Sequence, residues 1–208
     1  APVTGLVRIN QALLASKSLP VNNVKELIEL ARQKPGELNF GTAGIGSAPH
    51  MNIELLKNMA GIKLNAVHYR GAAPALNDLI AGHISLMSVS VSLAEPPYRA
   101  GQIKILGIGS EKRLPQVADI PTVAETGYPG YKVLTWNGLM ASSATPKPIV
   151  DKIAGEMAKA CKDPKFVERL STLGADPSCI TPAEFAELVA ADLKQWSEVV
   201  TTAGIKQQ

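Results

Sequence analysis

The feature that most constrains the fold is an alternation of two hydrophobic patterns along the first half of the chain. Apolar segments such as 3–15, 64–69 and 103–108 alternate with segments such as 24–31, in which apolar residues recur every three or four positions. The first pattern is typical of buried strands and the second of amphipathic helices. Alternating strands and helices predict an α/β fold in which a mainly parallel sheet is flanked by helices on both faces.

Capping and turn residues predict where several of these elements begin and end. Asn23 has the sequence context of a capping box, so a helix is expected to start there. Pro74 is expected at the first position of a helix over 75–81. The two prolines at 96–97 predict only a weak helix over 93–100, because proline removes a hydrogen bond from a helix interior.

The last third of the chain has a different pattern. A strand over 131–140 is followed by two short helical stripes, 149–157 and 166–170. The clearest element is the last helix, which starts at a capping box beginning with Thr181 and keeps one apolar face until Gly204. A helix of this kind needs a sheet or other helices to cover its apolar face.

Composition limits the classes of function. The 208 residues are 46% hydrophobic and 19% charged, which predicts a soluble globular chain with a substantial core. Only 4% are aromatic, so stacking platforms for sugars or single-stranded nucleic acids are not expected. Basic and acidic residues are well mixed and give a net charge of +3, so no nucleic-acid partner is expected.

Targeting and cysteine usage give further expectations. The uncharged stretch between Asp78 and Glu95 is too short and too polar to span a bilayer. The chain opens at Ala1 without a secretory signal or an initiator methionine, so we expect a processed or trimmed product.

Cys161 and Cys179 lack the spacing of a redox motif or a metal site. Two buried, reduced cysteines are the favoured interpretation, and a disulfide in an oxidising compartment is the alternative.

The turn over 41–47 carries the most chemical information. Its glycines lie between a strand and a helix, where the backbone can curl so that N–H groups point into one concavity at the positive end of the helix. This arrangement predicts an anion site, better suited to a carboxylate than to a pyrophosphate, and the hydroxyl groups of Thr42 and Ser47 and the imidazole of His50 can face it. The alternative is a helix start in which the glycines serve the turn alone.

Two further segments are expected to reach the same crevice. The turn that contains Tyr69 and Gly71 also joins a strand to a helix, and Ser90 lies at the end of the next strand. Helix starts at the carboxyl ends of neighbouring parallel strands converge on a crevice where ligands bind. Catalysis is not expected, because nucleophile-elbow and zinc-protease motifs are absent from the sequence and no carboxylate can be placed to orient a Ser47–His50 pair.

The order of several motifs identifies a resemblance to a known family. The segments are 40–50 (FGTAGIGSAPH), 69–75 (YRGAAPA), 120–131 (IPTVAETGYPGY), 136–139 (WNGL) and 181–185 (TPAEF), with Trp196. Together they resemble the extracytoplasmic solute-binding receptors of tripartite tricarboxylate transporters, the Bug family. The resemblance covers the whole chain, and the order of the motifs makes it specific.

The resemblance implies a function and a fold. Such receptors are similar to type II periplasmic binding proteins, in which two α/β lobes close on a small organic anion and deliver it to membrane subunits. The implied ligand is a di- or tricarboxylate or an aromatic carboxylate, with no metal and no cofactor. Ligand contacts are implied at the glycine-rich loop and are extended to the neighbouring segments: Thr42, Ala43, Gly44, Gly46, Ser47, His50, Tyr69, Gly71 and Ser90.

Departures from the family pattern lead to further expectations. The opening part of the first lobe has no counterpart, so residues 1–132 are expected to form the second lobe and 133–208 the crossover strand and helices of a partial first lobe. A partial lobe is expected to expose apolar surface, to self-associate and to bind weakly. Val89 and Ser90 replace an acidic and an amide residue of relatives, which favours a plain carboxylate over an amino acid. An α/β enzyme for a small carboxylate and a fragment that does not bind remain as alternatives.

Overall fold

The computed structural model describes residues 1–172 and 175–205, which form two units. One unit, here called the sheet unit, contains Asn10–Val133 and residues 198–205. The other, here called the helix unit, contains Ala1–Ile9 and Leu134–Ser197. The first nine residues belong with the C-terminal segment, because the first strand is long enough to contribute hydrogen bonds to both units. The assignment of the two units to the lobes of a receptor stays a prediction.

The sheet unit is built from alternating strands and helices. Its first strand, β1 (Pro2–Ser16), begins in the helix unit, and the remaining elements follow in chain order. They are α1 (Val24–Gln33), β2 (Asn39–Thr42), α2 (Ala48–Ala60), β3 (Asn65–His68), α3 (Ala72–Ala81), β4 (Leu86–Ser90), α4 (Val91–Arg99) and β5 (Ile103–Ile108), with 3-10 turns at Pro115–Val117 and Ala124–Thr126.

The strand order in this unit is β3-β2-β4-β1-β5. Strand β2 runs parallel to β3 and β4, whereas β1 runs antiparallel to β4 and β5. Strands β2, β3, β4 and β5 therefore share one direction, and the expected mainly parallel sheet is confirmed. The inserted antiparallel strand was not predicted, because an apolar strand has the same composition in either direction.

Helices cover both faces of this sheet. On one face, Leu14, Met87 and Ile105 pack with apolar residues of α3 and α4 in a single buried cluster. On the other face, Asn52 of α2 donates a hydrogen bond to Ser88 of β4, the neighbour of Met87. Because successive strand residues point to opposite faces, α2 lies on the face opposite α3 and α4.

Local sequence signals explain most element boundaries. The capping box of α1 is confirmed, since the Asn23 side chain accepts a hydrogen bond from the Glu26 N–H at 2.9 Å. Two helix starts differ from expectation. Helix α3 begins at Ala72, so Pro74 stands third in the helix, where its missing N–H costs nothing. Helix α4 begins at Val91 and is complete despite Pro96 and Pro97, because Val91 and Ala94 are buried against the sheet.

The helix unit contains β6 (Leu134–Met140), α5 (Lys147–Ala160), α6 (Pro164–Thr172), β7 (Asp176–Pro177) and most of α7 (Pro182–Ala203). Strands β6 and β7 both pair with β1. The predicted capping box of α7 is confirmed, since the Glu184 N–H donates to Thr181 Oγ1 and the Thr181 N–H donates to the Glu184 carboxylate. Phe185 is fully buried and meets the Trp136 ring edge-on, with 5.1 Å between centroids.

A disulfide bond joins Cys161 at the end of α5 to Cys179 after β7, with 6.1 Å between the Cα atoms. The favoured expectation of two buried, reduced cysteines is therefore wrong, and the alternative of a disulfide is confirmed. Both residues are half-buried. Sequence spacing could not decide the matter, because pairing depends on the tertiary contacts that bring two Cα atoms within bonding range.

The surface of the helix unit is partly apolar. Met140, Ile149 and Leu193 are 57%, 50% and 64% exposed. Self-association through such residues stays a prediction, which light scattering can address. Across residues 1–172 and 175–205, no helix has both the length and the apolar character needed to cross a membrane.

Candidate functional site

Three helices begin where three neighbouring strands end. Strands β3, β2 and β4 lie side by side and run in the same direction, so their carboxyl ends share one edge of the sheet. Helices α3, α2 and α4 follow these strands after short loops or directly. The positive ends of three helix dipoles therefore meet at one edge of the sheet unit, which is the position where open α/β sheets bind ligands.

The N-cap residues of these three helices leave the backbone N–H groups open. Ser47, Gly71 and Ser90 make no side-chain capping bond, in contrast to Asn23 at the start of α1. The first N–H groups of a helix have no partner within the helix itself. In α2 these are the N–H groups of Ala48 and His50, because Pro49 carries none. Each helix start can therefore donate hydrogen bonds to an anion.

The loop between β2 and α2 is held by its own hydrogen bonds. Thr42 is fully buried, and its Oγ1 accepts a hydrogen bond from the Gly44 N–H at 3.2 Å. The Ser47 hydroxyl donates to the Gly44 carbonyl at 2.7 Å instead of capping α2. Gly44 and Gly46 have φ angles of +124° and +72°, which disfavour residues with a side chain. The turn is thus shaped before any ligand arrives.

His50 is buried beneath this loop. Its Nδ1 accepts a hydrogen bond from the Gly46 N–H at 3.1 Å, and its Nε2 lies 3.6 Å from Glu54 Oε1. Glu54 is also buried and accepts a hydrogen bond from Lys57 Nζ at 2.6 Å. Burial raises the pKa of the Glu54 carboxyl, but the hydrogen bonds from His50 and Lys57 outweigh it and hold the pKa below its ordinary value.

The neighbouring loop after β3 reaches the same edge. The backbone N–H of Tyr69 donates to the Thr42 carbonyl at 3.1 Å, and the Tyr69 hydroxyl donates to Asp78 at 2.6 Å. Burial and this hydrogen bond to a carboxylate raise the pKa of Tyr69 to about 12, so the phenol keeps its proton. His68 Nδ1 lies 2.8 Å from Thr42 Oγ1. Partial burial and the nearby His50 lower the pKa of His68, which favours the neutral ring.

The charge pattern of the three loops favours an anion. Segments 42–50, 69–74 and 88–93 contain no aspartate or glutamate, and Arg70 is their single arginine or lysine. Together with the open N–H groups, this gives the edge a positive potential without a dedicated ion pair. Within the described parts of the chain, no group of three histidine, cysteine, aspartate or glutamate side chains could hold a metal ion.

The structure brings the predicted site residues to one edge of the sheet, but two of their side chains are engaged within the protein. Thr42, Ala43, Gly44, Gly46, Ser47 and His50 form one continuous loop and helix start, with Tyr69 and Gly71 on the adjacent strand end and Ser90 at the end of β4. The His50 and Tyr69 side chains are already engaged within the protein, so their contact with a ligand stays a prediction. Ser90 Oγ accepts a hydrogen bond from the Ser92 hydroxyl at 3.2 Å.

Sequence reasoning did not find the residues whose hydrogen bonds support the candidate site. His68 lies at the surface, and its ring is paired with the buried Thr42 side chain. Asn52 donates to Ser88 Oγ at 3.0 Å, and its carbonyl accepts a hydrogen bond from the buried Tyr131 hydroxyl at 3.1 Å. No local pattern marks these residues, because their partners come from distant parts of the chain.

The low pKa of Glu54 predicts a pH-dependent contribution to stability. We expect Glu54→Gln to lower the free energy of unfolding at pH 7 by about 1–3 kcal/mol, because Lys57 loses its buried partner. A carboxylate with a lowered pKa stabilises the fold above its unfolded value, near 4.5, and stops doing so as pH falls through the folded value. Urea denaturation followed by circular dichroism should therefore show the difference shrinking below pH 4.5.

The matched control for this prediction is Glu29→Gln. Glu29 is an exposed glutamate on α1, so its replacement should change the free energy of unfolding by less than about 0.5 kcal/mol at any pH. A constant difference between Glu54→Gln and the unmodified protein from neutral to acidic pH would contradict the proposed ionic role of Glu54.

Comparison with protein families gives one match over nearly the whole chain. The family described as "Tripartite tricarboxylate transporter family receptor" matches residues 1–205. A UPF0065 protein from the tcbD–tcbE intergenic region of a Pseudomonas species is 34% identical over 200 residues, which is 96% of this chain and 60% of the relative. BugT of Bordetella pertussis is 27% identical over 205 residues, covering 99% of this chain and 63% of BugT.

Solved structures give the same picture. A protein of R. palustris with adipate superposes with a TM-score of 0.84 at 36% identity, covering 98% of this chain and 68% of that one. MatC of Rhodopseudomonas palustris with bound malate superposes with a TM-score of 0.80 at 33% identity, covering 96% of this chain and 69% of MatC. The chain spans 60%, 58% and 64% of the length of three curated relatives that it matches.

Proposed function

Because the chain belongs to the tripartite tricarboxylate transporter receptor family, also called the Bug family, we propose that it is an extracytoplasmic solute-binding protein for a small organic anion. The proposed ligand class is a di- or tricarboxylate or an aromatic carboxylate. Relatives with comparable folds were solved with adipate and with malate, both dicarboxylates. The proposed protein partners are the membrane subunits of such a transporter.

The observation that carries this proposal is the meeting of three uncapped helix starts at one edge of the sheet unit. A carboxylate placed there can accept hydrogen bonds from the N–H groups of Ala48 and His50, with further donors from α3 and α4. Arg70 adds a positive charge, and no acidic residue lies in these loops to repel the ligand. Binding through the backbone also suits a chain with few aromatic residues.

The disulfide between Cys161 and Cys179 supports the proposed location. Disulfides persist in oxidising compartments such as the bacterial periplasm and are rare in the cytosol. We therefore place the protein outside the cytoplasmic membrane. Its proposed task is capture and delivery, so the ligand should be recovered chemically unchanged after binding.

The test is calorimetric titration of the chain with adipate and with malate. We expect saturable binding of at least one of them, and Gly44→Val should weaken it by about tenfold or more, since a β-branched residue at a φ of +124° forces the loop to move. Gly36→Val is the matched control, because Gly36 also has a positive φ, +77°, but lies before β2 at the other end of the strand.

The two valine variants separate the possible outcomes. Equal affinity of Gly44→Val and Gly36→Val would contradict the proposed binding loop. Conversion of the titrated acid into another compound would instead favour the enzyme alternative. Absence of binding of both acids, together with an intact fold, would favour a chain that does not bind on its own.

A further inference from the structure

A buried row of polar groups lies beneath the proposed ligand loop. The His50 and Glu54 side chains are only 6% and 7% exposed, although both can carry a charge. Burying such groups is costly unless hydrogen bonds compensate, so their presence calls for a role. The row runs from the Gly46 N–H through His50 and Glu54 to Lys57.

The hydrogen bond from Gly46 determines the state of the imidazole ring. A backbone N–H can only donate, so His50 Nδ1 must be an acceptor and must carry no proton. The ring proton then lies on Nε2, which faces the Glu54 carboxylate at 3.6 Å. Glu54 is in turn held by Lys57, so the orientation of the ring is determined from both sides.

We propose that His50 is a positioning residue, which as a neutral imidazole anchors the Gly46 N–H and so holds the ligand loop in its binding conformation. Gly46 directly precedes Ser47, the N-cap of α2, so its position directs the peptide units that lead to the open N–H groups of Ala48 and His50. This inference rests on the proposed function and names the side chain that holds its ligand loop.

The groups around His50 come from three elements. Glu54 and, behind it, Lys57 lie on α2. His68 of β3 meets His50 edge-on with 5.1 Å between ring centroids, and the Phe40 ring of β2 stacks at 6.0 Å. These contacts fix the position of the ring beneath the loop.

The test compares two replacements of His50. Asparagine places an amide oxygen near the position of Nδ1, so His50→Asn should bind adipate or malate more tightly than a variant that lacks an acceptor there. Leucine fills the space without an acceptor, so His50→Leu should weaken binding by about tenfold, the equivalent of one lost hydrogen bond.

A control separates His50 from the neighbouring imidazole. His68→Asn leaves the acceptor of the Gly46 N–H in place, so it should weaken binding less than His50→Leu. Full affinity in His50→Leu, or equal losses in His50→Leu and His50→Asn, would overturn the proposal.

A second measurement needs no ligand. The hydrogen-exchange protection factor of the Gly46 amide, measured by NMR, should be lower in His50→Leu than in the unmodified protein and in His50→Asn. If none of the proteins binds adipate or malate, the proposed function fails, and this measurement alone decides the anchoring role. Unchanged protection in His50→Leu would overturn it.

Discussion

Replacement of Phe185 by alanine should lower the free energy of unfolding of the helix unit by about 3–5 kcal/mol. The Phe185 ring is fully buried and fills the space above Gly138, where no Cβ could be accommodated. It also meets the Trp136 ring edge-on, an arrangement that adds to the energy of burial. Because Trp136 is held by a hydrogen bond to Asp192, the surrounding residues cannot easily close the cavity.

Tryptophan fluorescence during urea denaturation measures this effect selectively. Trp136 and Trp196 are the two tryptophans of the chain, and both belong to the helix unit. Leu193→Ala is the matched control, because Leu193 lies on the same helix as Phe185 but is 64% exposed. It should change the free energy of unfolding by less than about 0.5 kcal/mol. Similar losses in both variants would show that Phe185 is not the anchor of α7.

Removal of the disulfide should destabilise the same unit by about 3 kcal/mol. The bond between Cys161 and Cys179 closes a loop with a sequence separation of 18, and loops of about that size gain roughly this much from a cross-link. The double variant Cys161→Ser, Cys179→Ser should therefore unfold at lower urea concentration. The fluorescence of the two tryptophans again gives the measurement.

Reductant provides the control for this experiment. Reducing the unmodified protein should move its unfolding curve towards that of the double serine variant, whereas the serine variant should not respond. The intact mass of the unreduced protein should be lower than that of the reduced protein by two hydrogen atoms. Equal masses, or equal unfolding curves with and without reductant, would contradict the disulfide.

Much of the fold follows from local patterns. The capping boxes at Asn23 and Thr181 locate α1 and α7, because a helix start needs acceptors for its free N–H groups. The helix start after Ser90 was not predicted because tertiary burial overrides local propensity there, whereas α3 begins before Pro74 because the third position of a helix tolerates a missing N–H. The antiparallel direction of β1 and the assignment of its first residues to the helix unit also depend on distant partners.

The candidate site shows the same division. Glycines and small polar residues between a strand and a helix are visible in the sequence, so the turn over 41–47 was predicted, and its role in binding stays a prediction. The engagement of His50 by Gly46 and Glu54 was not predicted, since a histidine in the first turn of a helix can face a ligand or the protein interior. The contacts of Asn52 with Ser88 and Tyr131 join residues that are far apart in the chain.

The long strand β1 has a consequence for the order of folding. This strand leaves the ribosome before the strands with which it pairs. Its residues Ala15, Leu14 and Val7 pair with Leu86, Ile105 and Pro177, which are synthesised much later. Until those segments emerge, an apolar strand has exposed N–H and C=O groups on both sides, which is the form most prone to aggregate. The chain should therefore depend on a chaperone that shields this strand during synthesis.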